Sequence, residues 1–98
     1  MELIRFLFVF PDGSQKKVTV MIRWPVQEES GSWQCQVLFA GLDKHDRVIF
    51  GADALQSLSL CLCFVQTELL LLRRDGIRIL DESGEFDYPL EALMPERN

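Results

Sequence analysis

A chain of 98 residues, 48% apolar and 26% charged, is one domain's worth of folded protein and too small to enclose a large active site beneath its core. Its net charge of −5 and scattered Lys and Arg exclude the clustered basic surface that nucleic acid binding requires. Cys61 and Cys63 point about 200° apart on a helix, so the three cysteines offer neither a disulfide framework nor a metal knuckle and suit small core residues in a reducing cytoplasm.

The first ten residues, MELIRFLFVF, carry an acid at Glu2 and an apolar run too short for a signal-peptide core. Ile4, Phe6, Phe8 and Phe10 recur with period two and predict a strand. Pro11-Asp12-Gly13-Ser14 supplies a turn, because Pro presets φ, Asp bonds its own backbone and Gly tolerates positive φ. Val18, Val20, Ile22 and Trp24 predict a second strand with one apolar face, expected to stop at Pro25 and the polar loop that follows. Trp33, Cys35, Val37 and Phe39 mark a third strand, and Val48 to Phe50 a short fourth.

Residues 51–76, GADALQSLSLCLCFVQTELLLLRRDG, predict one helix from about Ala52 to Arg74, with an acidic start, Arg73 and Arg74 in the last turn and Gly76 as the cap. Gln56, Gln66 and Glu68 interrupt it, so it is not expected to span a membrane. At 100° per residue Leu55, Leu58, Leu62, Val65, Leu69 and Leu72 form the stripe expected to lie on the sheet. A second stripe, Leu60, Phe64, Thr67 and Leu71, faces nearly the opposite way. Either the C-terminal tail folds over it with Ile77, Ile79, Leu80, Phe86, Tyr88, Leu90, Leu93 and Met94, or it is a partner surface, with a homodimer through Leu60, Phe64 and Leu71 as one form.

Residues 1–80 hold nine acids and nine bases, whereas residues 81–98 hold six acids and one base, so all the net charge lies in the tail. Asp81, Glu82, Glu85, Asp87 and Glu91 interleave with Phe86 and Tyr88, a combination of steering charge and aromatic anchors that suits a basic protein partner. A solvated acidic face is the alternative.

Motifs for catalysis are missing: there is no phosphate loop, nucleophile elbow or H-E-x-x-H, and the sequence predicts no enzyme, cofactor or metal site. The single histidine, in Asp43-Lys44-His45-Asp46, is expected in a solvated turn.

Residues 51–65 resemble the G-x-D-A-L-Q-A-L-x-L-A-L helix of a family of small uncharacterised bacterial proteins, and Trp33-Gln34-Cys35-Gln36-Val37 matches its W-x-C-x-V element, although Ser57 and Cys61 stand where alanine is usual. The resemblance covers residues 33 to 72 and implies a stand-alone cytoplasmic domain with an outline like that of toxin-immunity proteins. Such a protein would inhibit a basic toxin by presenting a rigid acidic surface. The expected fold is therefore a single α+β domain over 1–98: an antiparallel meander of about four strands (1–50), a long helix across one face (52–74), and an acidic segment (77–98) with a strand and a short helical piece at the sheet edge.

Overall fold

The computed structural model describes residues 1–43 and 45–93. Met94 and Glu96, counted above with the tail, lie outside them. Five strands form one antiparallel sheet in the order β4-β3-β2-β1-β5, where β1 is Glu2–Val9, β2 Gln15–Gln27, β3 Trp33–Ala40, β4 Arg47–Gly51 and β5 Arg78–Leu80. The helix α1, Ala54–Arg74, packs on one face, and a 3-10 turn follows at Leu90–Leu93. The architecture is the expected α+β.

Alternation builds the core. Phe6, Phe8, Val18, Val20, Ile22, Cys35, Val37 and Phe39 point to one face and form one buried cluster with Cys61, Val65 and Leu69 of α1 and Leu90 of the tail. Asp12 fixes the first turn, its carboxylate accepting from the backbone N–H and hydroxyl of Ser14 at 2.8 and 2.6 Å.

The second strand does not stop at Pro25. Its register shifts between Arg23 and Val26, so Pro25 occupies a bulge where its missing N–H breaks no ladder bond and pairing continues to Gln27. The bulge also takes Trp24 out of the inward phase, leaving it 64% exposed where the alternation places it in the core.

The start of α1 is a reciprocal cap: the Asp53 carboxylate accepts from Gln56 N–H at 2.7 Å, and the Gln56 side chain accepts from Ala52 N–H at 2.6 Å. Its end is a Schellman closure, with Gly76 N–H bonded to Arg73 O and Ile77 N–H to Leu72 O around a Gly76 φ of 97°.

The helix seats on a stripe rotated from the one expected: Val65 and Leu69 are buried and Leu58 and Leu72 pack half-buried against the core as expected, but Leu55 and Leu62 do not. Ser57, Cys61, Val65 and Leu69 are buried, while Leu55 is 74% exposed and Leu62 lies at the surface. Size decides the rotation. A Cβ at Gly51 would stand 2.5 Å from Ser57 N, so the first turns of α1 press directly on the end of β4, and only small side chains fit on the contact side. Ser57 Oγ donates to Ala54 O, and the Cys61 thiol to Cys35 O.

The helix lies over β2, β3 and β4, and none of its Cα atoms comes within 8 Å of one in β1. The tail covers β1 instead. It lies beside α1, in the same layer, with Leu90 fully buried and Gln66 Nε2 donating to Leu90 O. Leu60, Thr67 and Leu71 are consequently exposed.

By length and hydropathy α1 could cross a membrane, which its interruptions argue against at the level of sequence, and only 22% of the apolar window is buried. Its buried line nonetheless seats on the sheet as a core helix does.

Candidate functional site

The tail residues form a tight, pinned loop beyond β5. Asp81 N–H donates to Phe86 O and Tyr88 N–H to Ile79 O, both at 2.9 Å, and Asp87 bridges Leu80, so the chain turns back antiparallel to β5. Inside the turn the Asp81 carboxylate accepts from Ser83 Oγ at 2.7 Å, Gly84 N–H at 3.0 Å and Glu85 N–H at 3.2 Å. The Ser83 hydroxyl first, then these backbone donors, hold the Asp81 carboxyl below its ordinary range.

The acids expected to form one free surface have separate roles. Glu82 meets Arg5 at 3.4 Å, Asp87 meets Arg78 at 3.3 Å, and Glu91 is bonded to Arg73, which holds the Glu91 carboxyl below its usual range. All three pairs are exposed, so each is worth little to stability and can be exchanged for a partner's cation. Asp81 is structural. Glu85 is exposed, and among the described residues no cation pairs with it.

The two aromatics divide in the same way. Tyr88 is half-buried, standing edge-on to Phe6, whereas Phe86 is 66% exposed. Between Ile4 and Phe6 of β1, Leu62, Val65 and Leu69 of α1, and Tyr88 lies an apolar gap of about 230 Å³. It exists because α1 stops short of β1 and the tail closes only the far side.

The residues proposed for self-association also separate. Leu60 and Leu71 face outward, but Phe64 is half-buried against Phe39, ring centroids 6.3 Å apart, with the Arg47 guanidinium 5.0 Å from its ring centre.

His45 is not in a solvated turn. It is half-buried, with Nδ1 3.1 Å from Glu68 Oε1 and its ring 6.1 Å from that of Phe39. Asp46 accepts from Phe39 N–H, which ties the same loop to β3. Among the described residues no three His, Cys, Asp or Glu side chains converge as a metal site would require.

One surface escaped the sequence reading altogether. Opposite the helix, the sheet exposes Trp24, Val26, Val48 and Phe50 together. Phe50 pairs with Gln34, and Val48 with Gln36, so they share that face, and the bulge adds Trp24 and Val26. Val48 and Phe50 alternating about Ile49 was the one available signal.

The fold and loop define a small α+β domain with a helix-backed antiparallel sheet and a preformed acidic loop at its edge. Residues 3–90 match the family described as a domain of unknown function, DUF6968, and the chain belongs to that family. No curated protein and no solved structure matches it.

Proposed function

We propose that the domain is a non-catalytic protein-binding module, most concretely an immunity-type inhibitor acting in the cytoplasm on the basic surface of a toxin or effector. One observation carries the reading: Phe86 is exposed on a loop that Asp81 already holds in shape, with Glu85 beside it and three exchangeable carboxylates around it. A preformed loop loses little conformational entropy on docking, an exposed ring supplies an anchor, and the acids speed encounter with a cationic surface.

Removing the tail is a poor test, because Tyr88 and Leu90 leave the core with it. Phe86→Ser removes the anchor alone. It should weaken binding to the captured partner at least about tenfold, roughly 1.4 kcal/mol, with the circular dichroism unchanged. An affinity equal to that of the unaltered protein sinks the proposal.

A second reading, self-association as a structural or adaptor domain, draws on Leu60 and Leu71, which face outward on α1. Leu60→Glu with Leu71→Glu should then give a folded monomer, and a doubly substituted chain that still associates removes the helix from the interface.

A further inference from the structure

The gap between α1 and β1 has the makings of a site in its own right. Phe6, Val65 and Leu69 close it at the bottom, Leu3 and Leu62 form its exposed rim, and about 230 Å³ lies open to solvent between them. We propose that this gap binds a small, uncharged aromatic molecule of one or two rings. The site is independent of the acidic loop's partner and of self-association through the helix.

Three features set the class of ligand. The first is charge: the lining side chains are hydrocarbon apart from the hydroxyl of Tyr88, and Arg5, on the opposite face of β1, is held by Glu2 and Glu82. A charged molecule loses its hydration there with nothing in return, so the ligand is uncharged. Volume sets its size, since an apolar cavity of about 150 Å³ already accepts benzene and the gap is larger by about half. Shape makes it aromatic. Phe6 and Tyr88 present an edge-to-face pair of rings on one side, with centroids 5.0 Å apart, and Leu62 and Leu69 of α1 stand on the other. A flat ring between them extends the aromatic pair and meets methyl groups on its second surface.

The gap does not close on itself, because each wall is anchored elsewhere. The first turns of α1 press on β4 at Gly51, at the far edge of the sheet, and the tail is held by buried Leu90, whose carbonyl accepts from Gln66 Nε2 at 3.3 Å. Apolar walls also offer water few hydrogen-bond partners, so a ring entering the gap displaces loosely held solvent.

Titration of indole into the full chain, followed by the methyl resonances, tests the site. The methyls of Leu3, Ile4, Leu62, Val65 and Leu69 should shift together and saturate, half-maximally below about 1 mM, while those of Leu60, Leu71 and Val48 on other surfaces hold still. Indole-3-acetate, the same rings with a carboxylate, should bind at least about tenfold more weakly. Val65→Phe fills the bottom of the gap and Leu62→Trp its mouth, and each should abolish the shifts with the circular dichroism unchanged. Should Val65→Phe fail to fold, Leu62→Trp decides, because its position is exposed. No shift, shifts that never saturate or spread to Leu60, Leu71 and Val48, or shifts that survive in Leu62→Trp overturn the site. Equal binding of indole-3-acetate overturns the uncharged class. Overhauser contacts between the gap methyls and residues 94–98 in the free protein give the space to the chain's own end and likewise overturn it.

Discussion

Tyr88 stands edge-on to Phe6, with ring centroids 5.0 Å apart and planes at 82°. This contact clamps the C-terminal segment to the one strand that the helix leaves uncovered, and so couples the shape of the loop to the core.

Tyr88→Ala should destabilise the domain by about 2–3 kcal/mol, below the range for a fully buried ring because Tyr88 is half-buried. Tyr88→Phe should stay within about 0.5 kcal/mol. Urea unfolding with an unchanged slope measures both; equal losses for the two variants would show that the hydroxyl, and not the ring, matters.

Gly51→Ala should cost about 1–3 kcal/mol, because the added methyl meets the backbone of α1 at Ser57 and the helix must move. The sign is informative: a stabilised variant would mean that α1 does not approach β4 as closely as described.

The cysteines should differ in reactivity. Burial, aided by the neighbouring Cys35, pushes the Cys61 thiol up to about 12, and Cys35 is equally buried, whereas Cys63 is partly open. A thiol reagent at neutral pH should label one cysteine in the native protein and all three in denaturant. Rapid native labelling at Cys61, read by peptide mass spectrometry, contradicts its placement beneath the sheet.

How much of this was legible in the sequence follows from which physical signal each feature left. Alternation gave four strands, and the ends of the long helix lay in Asp53 and Gly76, whereas the return bond from Gln56 to Ala52 N–H was not read. Hydrophobicity alone, however, put Leu55 and Leu62 on the sheet, when the deciding quantity was side-chain size at Ser57 and Cys61 opposite Gly51. The bulge at Pro25 could not be read from local pattern, since pairing with β3 resumes only after it. For the loop, composition revealed the acids but not that Asp81 spends its carboxylate on the chain's own N–H groups, because that depends on the turn.

Loop order should depend on pH through Asp81. Its folded pKa lies below the unfolded value of about 3.9, so its contribution is fully present above that value and is lost as the pH falls through the lowered folded pKa. The Gly84 and Glu85 amide resonances should hold steady at neutral pH and move only in that acid window, and Asp81→Asn should shift them at pH 7. Movement centred well above pH 4 assigns the loop to another group.

The central claim is that a rigid acidic loop captures a basic protein. The most direct measurement is recovery of partners of the tagged protein from its source cell's lysate at low and at high salt, run beside Phe86→Ser. The account predicts one stoichiometric basic protein, weakened by salt and lost with Phe86→Ser. Recovery of the same protein by both chains, or of nothing but the domain itself, contradicts it.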